Sequence, residues 1–308
     1  MIRGRGWKNY VSESQIYRNF FIIQASPKGF RSRIISMGEI FANGLTGTIG
    51  RNFDGQVRNV ALRLDQLHDE VLDKNLNFMQ SSFIHCAGVV GKYSVEVNLE
   101  YSRKVNVLGP TLLAEQLLER GLRTFVYVSS GHVYGSSRND STELSRVNPQ
   151  TIYAEQKLEA EDLLKKTFLS ANANLIIARV FSVIHLGMPP ETLGGKLNRI
   201  YLGNTSEKVA YADDIRDFLS PKSVAKILYK LSKVNSYSGI INVCSGTPMS
   251  IFNLAKLILT QNRTWDEKLT ISGHSQFSRI VGDSSNLQKL IGIQKPELAL
   301  DEILVERV

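Results

Sequence analysis

Glu39-Ile-Phe-Ala-Asn-Gly-Leu-Thr-Gly-Thr-Ile-Gly50 is a short apolar run followed at once by three glycines spaced three apart. Glu39–Ala42 reads as a buried strand, and Gly44-x-x-Gly47-x-x-Gly50 as a turn that opens a helix. Glycines there allow a tight turn and let a pyrophosphate approach the backbone, whose N–H groups and helix dipole then hold it. Three glycines at this spacing fit a purely structural turn as well. The strand before them and the helix after them favour a dinucleotide.

The pattern of strand followed by helix repeats along the chain. Val60–Leu64 reads as a second strand ending at Asp65, and residues 66–76 as a helix. Ser82-Phe-Ile-His-Cys86 is a strand that stops at Ala87-Gly88. Apolar residues recur at helical spacing from Val95 to Arg120, and Gly121 supplies the stop. Thr124–Val128 is a strand, residues 151–169 a helix, and Leu175–Val180 a strand. Such alternation implies parallel β-α-β units, and hence an α/β fold with a doubly wound parallel sheet. Beyond Val180 it weakens, with Gly/Pro-rich stretches near 187–195, helices at 221–233 and 250–261, and a strand at 239–244. These predict a smaller lobe over the carboxyl edge of the sheet, where such folds bind ligands.

The composition sets bounds. The chain has 308 residues, of which 43% are hydrophobic and 21% charged, as in ordinary globular proteins. Its net charge of +8 is concentrated in an N-terminal cluster, Arg3, Arg5, Lys8, Arg18, Lys28, Arg31 and Arg33. That cluster reads as a poorly ordered extension over 1–37, ahead of a nucleotide-binding domain at 38–180, to which the strand near 239–244 also contributes, and a mostly substrate-binding lobe at 181–308. The rest of the basic charge is scattered, so nucleic acid is not expected as a partner. The two cysteines, Cys86 and Cys244, sit in apolar runs and read as buried thiols in a reducing, cytoplasmic setting. The five histidines are dispersed, so no metal site is expected. No apolar stretch is long enough to insert in a membrane.

The chemistry-bearing residues follow the strand ending at Val128. Ser129-Ser130-Gly-His-Val-Tyr-Gly135 lies at the carboxyl edge of the sheet, and Tyr153-Ala-Glu-Gln-Lys157 begins the next helix. Tyr and Lys at i and i+4 share a helix face. An ammonium beside a phenol lowers the phenol's pKa from about 10, which suits it to acid–base work. Each feature alone fits a loop serine or a surface Tyr/Lys pair. Their order on these element ends makes coincidence unlikely.

With those residues in place, the chain resembles the extended short-chain dehydrogenase/reductases of the NAD-dependent epimerase/dehydratase family, which includes UDP-galactose 4-epimerase. The resemblance runs from Glu39 to the C-terminus. It rests on Phe83-Ile-His-Cys-Ala-Gly88, Asn106-Val-x-Gly109, Ser129-Ser130-x-x-Val-Tyr-Gly135, Pro149-x-x-x-Tyr153-x-x-x-Lys157 and Arg179-Val-Phe. Arg216-Asp-Phe, Asn242-Val-x-Ser-Gly246 and Arg279-x-x-Gly-Asp283 carry it into the second lobe.

The resemblance implies a Rossmann-like sheet, an NAD(P) cofactor with NAD preferred, a nucleoside-diphosphate sugar as substrate, and a homodimer formed through helices near 96–119 and 151–168. It implies Tyr153 as acid/base, Lys157 as its partner on the nicotinamide ribose, and Ser130 on the sugar oxygen. Gly44, Gly47, Thr48, Ile49, Gly50, Asp65, Ala87, Gly88 and Asn106 would line the cofactor. Ser182, Arg216 and Arg279 would meet the substrate, the arginines clamping its diphosphate.

Three departures qualify the match. Only a short stretch separates Gly50 from Asp65, too short for a full helix and strand, so Asp65 is either the ribose-binding carboxylate or a later residue near the adenine. Gly131-His132 replaces the Asp-Glu pair of dehydratases, which leaves epimerase or ketoreductase; His132 is either a substitute acid/base or a loop histidine. Ser182 replaces an asparagine, and Lys222 and Ser223 stand where acidic residues are usual. The expected activity is therefore a 4-epimerase-like reaction through a 4-keto intermediate. The alternatives are a ketoreductase or dehydratase of the same family, or a non-catalytic scaffold.

Overall fold

In a computed structural model of the chain, residues 38–66, 72–73, 75–203, 207–262, 269–272 and 278–304 are described. The basic cluster at 1–37 lies outside them. The strands are β1 (Ile40–Asn43), β2 (Arg58–Asn59), β3 (Ser82–His85), β4 (Thr124–Ser130), β5 (Asn174–Val180), β6 (Ser182–Val183), β7 (Glu207–Ala210), β8 (Ile215–Leu219), β9 (Gly239–Val243), β10 (Pro248–Ser250), β11 (Leu269–Ser272) and β12 (Arg279–Ile280). The helices are α1 (Lys92–Val97), α2 (Leu99–Arg103), α3 (Gly109–Glu119), α4 (Ile152–Phe168), α5 (Leu193–Tyr201), α6 (Pro221–Leu231), α7 (Ile251–Leu259), α8 (Ser285–Ile291) and α9 (Leu300–Leu304).

Six strands form one sheet in the order β2-β1-β3-β4-β5-β9, and every neighbouring pair is parallel. The switch in chain order falls between β1 and β3, which places the ligand crevice of a doubly wound sheet at their carboxyl ends. Every residue of β3 and β4 is buried, as helices on both faces require. On one face α3 and α4 pack Leu113, Leu117, Leu164 and Phe168 against Phe83, Phe125 and Tyr127. On the other, α6 packs Val224, Leu228 and Leu231 against Ile84, Val126 and Ile176. A third cluster joins α5, α7 and α9 through Leu197, Ile200, Leu254, Ile258 and Ile303. Beside it, β8 pairs antiparallel with β10 and parallel with β12 and β6.

Three expectations are corrected. Val60–Leu64 is not a strand. Only Arg58 and Asn59 pair with β1; Val60 N still donates to Ala42 O (2.8 Å), and the chain then turns so that Leu64 packs on Gly109. The glycine turn opens no full helix but a single 3₁₀ turn, Gly50–Asn52. Ile49, Phe53 and Val57 cover the sheet face beside α6 in its place. The helix expected over 95–120 is broken at Asn98, whose side chain caps α2, and again by a π turn at Lys104–Leu108. Such bulges turn one side chain inward, and here Asn106 points into the core. The helix expected over 66–76 falls largely on residues 67–71 and 74, outside the described residues. Among the described residues no helix is long and apolar enough to cross a membrane.

Candidate active site

The glycine turn is built by backbone contact. Gly44 has φ +72°, and a Cβ on it would stand 2.6 Å from Ala87 N, so the left-handed conformation and the approach to β3 both need glycine. A Cβ on Gly50 would stand 2.1 Å from Gly44 O and 2.6 Å from Leu45 Cα, both backbone atoms that cannot swing aside. Gly50→Ala is therefore expected to open the turn at a cost of about 1–3 kcal/mol. The check is fluorescence titration with NADH and NADPH; unchanged binding of both would refute it. Asn43 ties the turn to β3: its Oδ1 accepts from Cys86 N (3.2 Å) and Ala87 N (3.3 Å), and its amide meets His85 Nδ1 at 3.1 Å.

Across the crevice, Thr151 caps α4 by accepting from Ala154 N (3.2 Å), which starts the helix so that Tyr153 and Lys157 face β4. Ser130 ends β4, and its Oγ accepts from His132 N (3.2 Å) and acts to lower the pKa of the Tyr153 phenol beside it. Lys157 Nζ donates to Val128 O at 3.0 Å and stands 4.9 Å from the centre of the Tyr127 ring and 5.9 Å from that of Tyr153.

The electrostatics differ from the sequence expectation. Burial pushes the Tyr153 phenol up to about 12, and Ser130 only partly opposes it. Burial pushes Lys157 down to about 8, with Cys86 and Glu161 acting the other way. Tyr153 is therefore protonated at neutral pH, and Lys157 still carries most of its charge there.

One cavity of about 380 Å³ collects most of the expected residues: Thr48, Ile49, Gly88, Ser130, Tyr153, Lys157, Ser182 and Arg216 line it. Gly44, Gly47, Gly50 and Ala87 shape the turn behind its wall. Asn106 does not line it; its amide clamps Val89 (2.8 and 2.9 Å) and Gln156 (2.8 Å), holding the loop after β3 against α4. Asp65 lies off the cavity, 3.5 Å from Arg63. Arg279 is also off it and pairs with Asp140, with its Nη1 buried and unpartnered. Arg216 reaches the cavity while bound to Asp214 (2.8 Å) and to Ser278 O (3.0 Å). A diphosphate clamp would have to use the N–H groups that these carboxylates leave free, such as Arg279 Nη1.

Cys86, Ile184, Met188 and Leu193 also line the cavity, and His132 stands in its wall. Cys86 is not the fully buried thiol expected from its apolar run, whereas Cys244 is. Nothing local in the sequence marks Met188 or Leu193, which reach the cavity only through the packing of the second lobe.

The residues present fit the pyrophosphate-to-nicotinamide part of a dinucleotide: a turn no Cβ can enter, Thr48 and Ile49 at its mouth, Gly88 opposite, and the Lys157 ammonium at the inner end. The adenosine side is reduced to a 3₁₀ turn and a two-residue strand.

The comparisons agree with this geometry. The chain is 27% identical over 240 residues to GDP-6-deoxy-D-mannose reductase of Pseudomonas aeruginosa, covering 71% of this chain and 78% of the relative. It superposes on the structure of RMD from Pseudomonas aeruginosa complexed with NADPH with a TM-score of 0.72 at 24% identity, covering 86% of this chain and 95% of that one. It superposes on UDP-N-acetylglucosamine 4-epimerase from Methanobrevibacter ruminantium with a TM-score of 0.70 at 17% identity, covering 86% and 94%. The sequence profile of one family matches residues 45–244. The chain, an enzyme with a Rossmann-like sheet and a nicotinamide dinucleotide site, belongs to the NAD dependent epimerase/dehydratase family.

Proposed function

We propose that the chain interconverts a ring carbinol and a ketone on a nucleoside-diphosphate sugar, with net reduction of the keto sugar as its turnover. The observation that carries this is the convergence of Ser130, Tyr153 and Lys157 on one cavity with Thr48, Ile49 and Gly88. A bound nicotinamide supplies or accepts the hydride. Ser130 holds the sugar oxygen, Tyr153 gives it a proton, and the Lys157 ammonium stabilises the phenolate left behind. Arg216 meets the diphosphate.

Net reduction is supported by the shortened adenosine side: a reductase exchanges its dinucleotide at every turnover, whereas an epimerase holds it through two hydride transfers. The P. aeruginosa relative bears the name of a reductase. The second reading is a 4-epimerase, supported by the same three residues. Preference for NAD over NADP rests on Asp65, whose carboxylate would repel a ribose 2′-phosphate. Asp65→Asn is then expected to strengthen NADP⁺ binding relative to NAD⁺, and an unchanged ratio would remove that preference.

The test is incubation with UDP-, GDP- and dTDP-sugars and their 4-keto forms, with each cofactor. Stoichiometric consumption of NAD(P)H with a keto sugar supports the reductase. Epimerisation without net cofactor change replaces it with the epimerase. Binding of neither cofactor defeats both.

We also propose a homodimer through α3 and α4. Exposed Leu108 and Leu112, with Val97, Leu99 and Tyr101 alongside, give that surface its apolar character. Light scattering at the monomer mass would refute it.

A further inference from the structure

Two cavities meet at His132. Beside the active-site cavity lies a second, of about 270 Å³, which takes in Val95, Glu96, Thr151 and Ile152 and shares only His132 and Tyr153 with the first. A sugar carbon presented to Tyr153 therefore has this second space within one or two ring positions of it.

The reaction outlined above uses no atom of the His132 imidazole. Its backbone N–H is fixed on Ser130 Oγ (3.2 Å), so the ring leaves the chain next to the reacting oxygen. Burial and the nearby Arg216 charge hold the ring neutral, with a pKa of about 4. Among the described residues no protein group hydrogen-bonds either ring nitrogen. A neutral imidazole carries one N–H donor and one acceptor, and both stand unspent in the wall between the cavities. His132 is only partly buried, and its ring nitrogens are not among the enclosed polar atoms, so a ligand in either cavity can pair with them.

The rest of the second cavity says what that ligand group is. Val95 backs this cavity and the half-buried Ile152 faces it, which gives it an apolar side. Glu96 stands at the same cavity and would repel an anionic substituent. A hydroxyl could satisfy the imidazole but would leave that apolar side wet and most of the space empty. An acylamino group meets every condition: it is neutral, its amide pairs with either tautomer of the ring, and its alkyl end packs on the apolar side at Ile152.

We propose that the second cavity is a subsite for an acylamino substituent on the sugar ring, and that His132 is the specificity-determining residue that reads it. This rests on the nucleotide-sugar reading above. It differs from an acid–base role for His132, which would change the rate for every substrate alike.

The test uses the full chain loaded with NAD⁺, titrated calorimetrically with UDP-glucose and UDP-N-acetylglucosamine and with the corresponding dTDP-sugars, alongside UDP, GDP and dTDP. The acetamido sugar is expected to bind about tenfold more tightly than its hydroxyl counterpart. His132→Ala and Ile152→Trp are each expected to abolish that advantage and leave nucleoside-diphosphate binding unchanged, with His132→Gln restoring part of it. Equal binding of the two sugars by the unaltered protein overturns the subsite alone, as does an equal loss for both sugars in the variants. Failure to bind any nucleoside diphosphate takes down the nucleotide-sugar reading itself.

Discussion

Tyr153→Phe is expected to lower turnover of the sugar nucleotide by about 10²–10⁴-fold, with cofactor binding unchanged. The magnitude follows from what the phenol does and what else is present to do it. Burial holds Tyr153 near 12, so at neutral pH it carries its proton and can give it to a keto oxygen held by Ser130. Lys157 spends one of its N–H groups on Val128 O. Its charge acts through the phenolate, and that charge titrates near 8 because the lysine is buried. For the reductive direction, kcat/KM is therefore expected to fall as pH rises through about 8, where the ammonium is lost, and to level off below it. Progress curves from pH 6 to 9 check both statements. Undiminished turnover in the variant would sink the mechanism, and a rate that rises through pH 8 would sink the role given to Lys157.

What the sequence made legible was local. Tyr153 and Lys157 could be placed because a capping threonine, Thr151, sets where α4 begins, and a helix then fixes i and i+4 on one face. Ser130 could be placed because a run of buried β-branched and aromatic residues ends at it. What stayed hidden was set by distant contacts. Val60-Ala-Leu-Arg-Leu64 has the composition of a strand, yet the ladder is made by exposed Arg58 and Asn59, because Leu64 is drawn onto Gly109. The periodicity of 95–120 is helical throughout, and nothing in it reveals that Asn106 is pulled into the core by Val89 and Gln156. Lowering of the Tyr153 pKa by Lys157 followed from spacing alone, and burial, which spacing does not report, reversed it. Arg279 matches its motif, but its partner in the fold is Asp140.

Glu161→Ala is expected to destabilise the protein by about 3–5 kcal/mol. Glu161 lies one turn beyond Lys157 on the buried face of α4, with its side chain fully buried. It accepts from Arg179 Nε (2.9 Å), Arg179 Nη2 (2.6 Å) and Ser129 Oγ (2.5 Å), which ties the helix of Tyr153 and Lys157 to β4 and β5 together. The Arg179 guanidinium lies 4.7 Å from the centre of the Tyr134 ring, and Tyr134 in turn donates to Asn242 on β9 (2.8 Å). Deleting the carboxylate strands a guanidinium whose side chain is only 3% exposed. Removing both charges in Glu161→Leu/Arg179→Met leaves no such orphan, so the double variant is expected to be more stable than Glu161→Ala despite losing more hydrogen bonds. Urea denaturation midpoints of the single and double variants measure the difference. A loss below about 1 kcal/mol for Glu161→Ala would mean that the pair is solvated and contributes as a surface bridge does. If the cost is as large as expected, the same pair that stabilises the fold also fixes the helix from which the acid and its ammonium partner project, so their geometry cannot relax independently of the core.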